Sequence, residues 1–256
     1  MSIDAKGYGG NDDRRQYSIQ DRLVGVLDGA ARRAGLDRAA WIRQPAGDGE
    51  LSILPASERE HVVVDEFVRQ LSYGLTDHNH DLVAPARLRL RLAIHFGVVI
   101  PAPNGYAGQG VVTVSRLVDS APARDALVAL PEANLSVILS ARVFDDTVAQ
   151  RHTSLAAAEF RRVQVRNKEY VDDAWLYVPG GDVLAVDLPG AAPDAARPAR
   201  EGSAHLRDGS AHAREEAAHP REEPARRPAP ASSQVTNEFH APIHMGDRAV
   251  IGVNNA

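Results

Sequence analysis

The chain has 256 residues, a formal net charge of −5 and a pI near 6.1, and 44% of its residues are hydrophobic. This length and composition allow one large domain with a buried core, together with a further segment outside it. The acidic balance gives no electrostatic reason to expect nucleic-acid binding, which requires a basic face. The absence of cysteine excludes disulfides, thiolate metal sites and a cysteine nucleophile.

The sequence also gives no sign of a membrane segment. No apolar run approaches the roughly 20 residues that cross a bilayer. The first ten residues lack the apolar stretch of a signal peptide. We therefore expect a cytoplasmic protein without membrane or nucleic-acid partners.

Composition divides the chain into three parts. In residues 1–180, periodic apolar segments alternate with turns, which predicts a folded domain. Residues 181–234 are rich in Ala, Pro, Arg and Glu and cannot bury enough apolar surface to offset their ordering entropy, so we predict a disordered linker. Apolar residues return in 235–256, which we interpret as a separate C-terminal interaction motif.

The first elements follow from local patterns. We predict a short strand at 2–6 and a helix at 16–34 with one apolar face. Two strands follow, at 41–44 and 50–54, joined by a turn at 47–49. A second helix is predicted to begin at Ser57, where Ser57 and Glu60 have the spacing of a capping box.

The second half of the domain continues the alternation. Residues 88–96 alternate apolar and polar side chains and predict a long strand, followed by a helix at 108–117. Another strand is predicted at 135–139, with Ser140 as the cap of a further helix. The last predicted strands are at 160–165 and 174–178, around a turn at 167–173. The order β-α-β-β-α-β with further elements predicts an α+β fold with an antiparallel-rich sheet.

Several short motifs follow one another along this domain. They are IDAKGY (3–8), AGDG (46–49), LRLAIHFG (90–97), YAGQ (106–109) leading to SRL (115–117), and RNKE (166–169) before WLY (175–177). In this order and spacing, residues 1–180 resemble the class III nucleotidyl (adenylyl/guanylyl) cyclase homology domain. The resemblance implies the ferredoxin-like nucleotidyl cyclase fold and the conversion of a nucleoside triphosphate to a cyclic nucleotide and pyrophosphate.

The resemblance implies a metal site formed by two aspartates. Asp4 at the end of the first strand and Asp48 in the hairpin match the family's paired ligands for two Mg²⁺ or Mn²⁺ ions. Gly7 and Tyr8 would then turn under the phosphates of the substrate. Alternatively, Asp4 is a solvated acid at a strand end and Asp48 is a turn former. Only three residues precede Asp4, so either the first strand is short or the natural start lies upstream.

A second implied feature is an arginine that stabilises charge on the transferring phosphoryl group. Arg116 matches this residue, which in the family reaches into the partner's site across a homodimer. The family's asparagine four residues earlier is replaced here by Val112. Thr113 is the nearest polar substitute, although a helix places it about 100° away. Arg116 and Thr113 are therefore our candidate catalytic residues; alternatively, Arg116 is a surface helix residue.

The base-reading positions also depart from the family. Purine-specific members commonly have Lys or Glu where this chain has Gln44, and Asp near Gly105, beside which Asn104 lies. Gln44 and Asn104 are the candidate substrate-binding residues at this position. His95, in an alternating strand, is interpreted as a packed structural histidine.

The C-terminal segment resembles short amyloid-type signalling motifs. Its alternating apolar residues can form a dry zipper between stacked copies, whereas Pro242 requires two short strands around a turn. The alternating residues are Phe239, Ala241, Ile243 and Met245. A tail that docks on its own domain, or has no role, is the alternative.

Two functions follow from these observations. The first is a homodimeric, metal-dependent cyclase in bacterial signalling or defence, which depends on Asp4, Asp48 and Arg116. The second is a degenerate cyclase homology domain that acts as a sensor or adaptor. In that case the C-terminal motif would mediate homotypic assembly or recruit a motif-bearing signalling protein.

Overall fold

A computed structural model describes residues 1–188 of the chain. The predicted C-terminal motif and the linker from residue 189 onward lie outside the described residues. The strands are β1 (Ser2–Ala5), β2 (Ile42–Pro45), β3 (Gly49–Ile53), β4 (Leu90–Ile94), β5 (Ile100–Ala102), β6 (Gly105–Ala107), β7 (Leu135–Ser140), β8 (Arg161–Asn167) and β9 (Tyr170–Tyr177). The helices are α1 (Asp13–Arg33), α2 (Glu60–Val62), α3 (Val68–Asn79), α4 (Gln109–Val118), α5 (Ala121–Ala129) and α6 (Ala141–Val143), with π-helical turns at Val63–Phe67 and Phe144–Val148.

Seven of the strands form one sheet in the order β2-β3-β1-β4-β7-β9-β8. Only β4 and β7 pair in parallel, and the other neighbours are antiparallel. The strands β5 and β6 form a separate two-stranded hairpin. These observations confirm the predicted α+β fold with an antiparallel-rich central sheet.

Each face of the sheet packs on its own hydrophobic cluster. The first cluster joins α1 and α3 to alternate residues of the central strands, such as Ile3, Leu92 and Val137. The second joins α4 and α5 to the intervening residues, such as Ala93 and Ile138. Because successive side chains of a strand point to opposite faces, this division follows from the period-two pattern.

The same alternation places two charged residues on the face that carries α4. Ile3 and Ala5 belong to the first cluster, so Asp4 between them points to the opposite face. Leu90 and Leu92 likewise belong to the first cluster, which turns Arg91 to the face of Asp4. The register pairs Asp4 with Arg91.

The β2–β3 hairpin approaches β1 closely at Gly49. In the register of β1 and β3, Gly49 lies opposite Asp4. A Cβ on Gly49 would collide with the carbonyl oxygen of Ile3 and lie 3.1 Å from the Cα of Asp4. Glycine is therefore required here for the hairpin to pair with β1.

One prediction about a helix start is wrong and another is right. The helix after β3 begins at Glu60 with Arg59 as its N-cap, and no side chain caps it, so the Ser57 capping box does not form. A contact with another part of the fold explains the difference. The carboxylate of Glu58 accepts hydrogen bonds from Trp41 Nε1 and Asp37 N, which holds this segment as a turn. Ser140 is the N-cap residue of α6 as predicted, although its side chain makes no cap hydrogen bond.

The predicted turn at 167–173 is also wrong. Asn167 pairs with Tyr170, so the turn consists of Lys168 and Glu169 alone. Residues 170–173, which were predicted as part of the turn, belong to β9. The helix α5 and the β5–β6 hairpin were not predicted. In residues 1–188, no helix is long and apolar enough to cross a membrane.

Candidate active site

The structure brings the backbones of the two predicted metal ligands together at one end of the sheet. Asp4 is the third residue of β1, and Asp48 lies in the turn of the hairpin that pairs with it. The N–H of Ala5 donates a hydrogen bond to the carbonyl oxygen of Asp48 at 2.7 Å. Asp4 and Asp48 are therefore neighbours although 44 positions separate them in sequence.

Asp4 is held by an arginine that the sequence analysis did not single out. Arg91 Nε donates to Oδ1 of Asp4 at 2.6 Å, and its NH2 group donates to Oδ2 at 2.8 Å. Burial raises the pKa of Asp4 to about 6, with smaller contributions from the charges of Asp48 and Asp119, and the hydrogen bonds and charge of Arg91 oppose the rise. Asp4 is thus a carboxylate fixed in geometry and little exposed to water.

These residues offer part of a ligand set for a hard divalent cation. A carboxylate has about four lone-pair sites, so the bidentate contact with Arg91 leaves sites on Asp4 for a metal. Mg²⁺ is usually bound by one or two carboxylates together with substrate phosphates and water. Within residues 1–188, no cluster of three or more His, Cys, Asp or Glu side chains can hold a metal on its own. Asp4 and Asp48 could thus supply two carboxylate ligands for such an ion, and its other ligands would come from outside this pair.

The loop after β1 is held in a compact conformation. Gly7 has φ of +78°, a left-handed conformation that favours glycine. Asn11 Nδ2 donates to the carbonyl oxygens of Gly7 at 2.7 Å and Tyr8 at 3.1 Å. Tyr8 packs against the first cluster, and its hydroxyl accepts from Gln20 Nε2 at 2.6 Å. The ring of Tyr8 is therefore engaged with α1, and a contact with phosphate would fall to the backbone of this loop.

Helix α4 presents Arg116 on a partly exposed face. Its NH2 group donates to Oε1 of Glu169 at 3.0 Å, across to the β8–β9 turn. Val112, one helical turn earlier, is 37% exposed, whereas Thr113 is buried. Thr113 thus points away from the row that contains Val112 and Arg116. The catalytic roles of Thr113 and Arg116 stay predictions, and Arg116 is the more exposed of the two side chains.

The two candidate base-reading positions meet in space. Gln44 lies in β2 and Gly105 begins β6, yet a Cβ on Gly105 would collide with Nε2 of Gln44. Asn104, in the turn between β5 and β6, is exposed. The side chain of Gln44 thus lies beside Gly105, and the roles of Gln44 and Asn104 in substrate binding stay predictions.

Sequence reasoning missed Arg91 and Glu169 as members of this site. Arg91 is one of several arginines that alternate with leucines, and only the β1–β4 register shows that it faces Asp4. Glu169 lies in a turn far from α4 in sequence. A correct register for β1 would have identified Arg91, because opposite charges placed directly across two strands attract each other.

A cavity of about 450 Å³ lies beyond the other end of β1. It is lined mainly by aliphatic side chains from the ends of β3 and β4, and it contains neither Asp4 nor Asp48. His95 borders it, and its Nδ1 lies 2.9 Å from Oγ of Ser140. Burial lowers the pKa of His95, as expected for a packed neutral histidine.

No protein-family model and no curated protein matches the chain. Among solved structures, an adenylate/guanylate cyclase/hydrolase from Silicibacter pomeroyi is 18% identical with a TM-score of 0.47, over 70% of this chain and 96% of that one. The guanylyl cyclase Cya2 is 14% identical with a TM-score of 0.44, over 73% and 94%. The guanylate cyclase domain of RhGC from Catenaria anguillulae, in complex with GTP, is 15% identical with a TM-score of 0.40, over 69% and 93%. At these identities the similarity concerns the arrangement of strands and helices alone.

Proposed function

We propose that this domain binds a nucleoside triphosphate with Mg²⁺ or Mn²⁺ and converts it to a cyclic nucleotide and pyrophosphate. The observation that carries the proposal is the meeting of Asp4 and Asp48 at one end of the sheet, on two elements joined by the Ala5–Asp48 hydrogen bond. A role in bacterial signalling or defence follows from the sequence resemblance alone.

The chemistry requires two things of the site. The 3′-hydroxyl of the sugar must attack the α-phosphorus, and the charge on the phosphates must be neutralised as pyrophosphate leaves. Two bound metal ions would supply both the activation of the hydroxyl and the charge neutralisation. Asp4 and Asp48 would hold the metal, Arg91 keeps Asp4 oriented, and Arg116 would stabilise charge on the phosphoryl group.

An exposed apolar surface supports the homodimer that would complete this site. Four large side chains on the segment from the end of β4 through β5 and on α4 are 37–71% exposed. These residues, which we call the arm surface, are Phe96, Val98, Ile100 and Val112. Contiguous exposed apolar side chains mark association surfaces on soluble domains. Because α4 also carries Arg116, a partner on this surface would lie next to that arginine.

The direct test is product formation. Purified protein is incubated with ATP, GTP, CTP or UTP and Mn²⁺, and cyclic nucleotides and pyrophosphate are quantified. We expect slow turnover, abolished by Asp48→Ala and lowered by Arg116→Ala. Val112→Asn should raise turnover, since a positioning contact of this kind typically contributes about 10²–10³ in rate. No cyclic product from any nucleotide, with wild type or Val112→Asn, would refute catalysis.

A second function is favoured by particular contacts. Both oxygens of Asp4 already accept a hydrogen bond from Arg91, Arg116 is paired with Glu169, and Val112 offers no hydrogen bond. A domain that binds nucleotide without turning it over would suit a sensor or adaptor. Nucleotide-dependent thermal stabilisation without any product would favour this alternative, and the C-terminal motif would then be the expected partner-binding segment.

A further inference from the structure

The aliphatic cavity beyond the other end of β1 has the size of a small-molecule site. Its volume is about 450 Å³, and ligand pockets range over roughly 300–1,000 Å³. An apolar cavity of about 150 Å³ takes up benzene, so this one has room for a body of about two or three rings. Asp4, Asp48, Gln44 and Arg116 are not among its lining residues. The cavity is therefore separate from the candidate active site.

The wall of the cavity joins elements from both faces of the sheet. Val63 belongs to the first hydrophobic cluster and Val114, in α4, to the second, and both line the cavity. Gly97 and Gly110 line it as well, and a Cβ on Gly97 would lie 2.9 Å from the Cα of Gly110. These two backbones are thus in contact, which fixes this side of the cavity.

The charged side chains at the cavity are acidic. Glu58 and Glu60 line it, whereas Arg59 between them does not. Both glutamates are half-buried, which places them at the border between the cavity and water. Within residues 1–188, neither carboxylate forms an ion pair, and Glu58 accepts its hydrogen bonds from neutral donors. Among these described residues, no lysine or arginine lines the cavity.

Two further groups of the lining are bases, and burial disfavours the charged form of both. The α-amino group of Met1 donates to the carbonyl oxygen of Ser52 at 2.7 Å. Burial lowers the pKa of this amino group to about 5, and the charge of Glu50 opposes the change. Burial also lowers the pKa of His95. At neutral pH the cavity is thus apolar inside and negative at its border.

We propose that this cavity is a binding site for a small apolar ammonium compound. The apolar body of the ligand lies against the aliphatic wall, and its ammonium group lies at the border beside Glu58 and Glu60. The inference does not depend on the proposed function, because the cavity shares no residue with the Asp4–Asp48 pair. Since α4 forms part of the wall, the ligand contacts the helix that carries Arg116.

The test compares ligands that have one apolar body and different charges. Isothermal titration calorimetry of the full chain is carried out with 1-adamantylamine, 1-adamantanol and adamantane-1-carboxylate. We expect a dissociation constant below about 1 mM for the amine. The alcohol should bind at least about threefold more weakly and the carboxylate at least about tenfold more weakly, because two carboxylates attract the ammonium group and repel an anion.

A substitution at the border tests the charge. Glu60→Gln should reduce the preference for the amine over the alcohol by about two- to fivefold, the size expected of one partly exposed charge pair. Affinity for the alcohol should stay unchanged. Glu132→Gln removes an exposed acid that does not line the cavity, and is the control with no effect on either ligand.

A substitution in the wall tests the location. Val111 is a half-buried residue of α4 that lines the cavity, and Val111→Trp should weaken binding of the amine and the alcohol at least about tenfold by filling part of the space. Val128→Trp, at a position in α5 that is 65% exposed and does not line the cavity, is the matched control. Cooperative thermal unfolding shows that both variants are folded.

Each contrary outcome overturns the inference in a different way. Equal affinities for the amine and the carboxylate would refute selection for an ammonium group. Full binding to a folded Val111→Trp variant would place the ligand elsewhere, and no binding of any of the three compounds would refute the site. An affinity for the amine that falls as protein concentration rises would show that a second copy of the chain covers the cavity instead. None of these results bears on metal and nucleotide binding, so the proposed function can fail or hold independently.

Discussion

At the scale of single residues, the contact between Asp4 and Arg91 defines how the site can work. Both oxygens of a largely buried carboxylate accept from one guanidinium, which fixes the carboxylate in position before any ligand arrives. A preorganised ligand of this kind limits the cost of ordering on binding. Burial also leaves Asp4 with a pKa raised to about 6, close to physiological pH.

The raised pKa of Asp4 predicts pH-dependent metal binding. A ligand carboxylate must lose its proton, so Mn²⁺ affinity should be constant above pH 7 and fall by up to about tenfold per unit below pH 6. The contribution of Asp4 to the free energy of unfolding of the metal-free protein changes with pH in the opposite direction, because its pKa is higher in the folded than in the unfolded chain. It is present below the unfolded value of 3.8 and is lost as pH rises through 6. Calorimetric titration with Mn²⁺ at several pH values checks this, and an affinity that stays constant down to pH 5 would contradict it. Asp4→Asn is the control and should show weak binding at every pH.

The ion pair between Arg116 and Glu169 predicts a gain on removing the acid. Glu169→Gln frees the guanidinium for a phosphate, so affinity for inorganic tripolyphosphate with Mn²⁺ should rise roughly two- to fivefold, the size expected of an exposed pair. The melting temperature should not change, because Glu169 is exposed. Glu132→Gln removes a comparable pair with Arg87 elsewhere and is the matched control. Equal effects of the two substitutions would show that Arg116 does not meet the ligand.

At the scale of elements, the approach of the β2–β3 hairpin to β1 positions the two aspartates. Gly49→Ala should destabilise the protein by about 1–3 kcal/mol, the usual cost of overpacking, because the added Cβ meets the backbone of Ile3. It should also weaken Mn²⁺ binding by moving Asp48 away from Asp4. Gly9→Ala is the control, since nothing lies within 4 Å of its Cβ. Denaturant unfolding measures both variants, and equal stabilities would show that the hairpin has room to adjust.

Local patterns predicted the elements that depend on local chemistry. The strands β1 and β4 were predicted from their alternating side chains, and β7 from a short apolar run. The Gly-Asp-Gly turn was predicted from residues that favour turns locally. The capping box at Ser57 failed because Glu58 is committed to Trp41 and Asp37 in a different element.

The contacts that give the site its character could not be predicted in the same way. The pairs of Asp4 with Arg91 and Arg116 with Glu169 span 87 and 53 positions. They depend on the register of β1 against β4 and on the length of the β8–β9 turn. That turn was predicted at 167–173, whereas it consists of Lys168 and Glu169. The order of the motifs identified the candidate residues, and the fold shows which of them lie close together.

At the scale of the whole molecule, the arm surface predicts a homodimer. An interface through it should bury at least ~1,000 Å², and light scattering at tens of micromolar should show twice the monomer mass. Val98→Asp should give monomers that remain folded, because this side chain is 71% exposed. Val83→Asp, with 72% exposure at another surface, is the control and should leave the dimer intact. A wild-type protein that is monomeric with and without nucleotide would contradict the model of a shared site.

The central claim is that Asp4 and Asp48 hold metal together with a nucleoside triphosphate. Electron paramagnetic resonance of free Mn²⁺, titrated with the full chain and ATP, measures this directly. We predict that protein and ATP together bind two Mn²⁺ ions per nucleotide site, one more than ATP alone binds. Asp4→Asn and Asp48→Asn should each abolish this excess while their thermal unfolding stays cooperative. Wild-type protein that takes up no more Mn²⁺ than the Asp4→Asn/Asp48→Asn double variant would contradict the account.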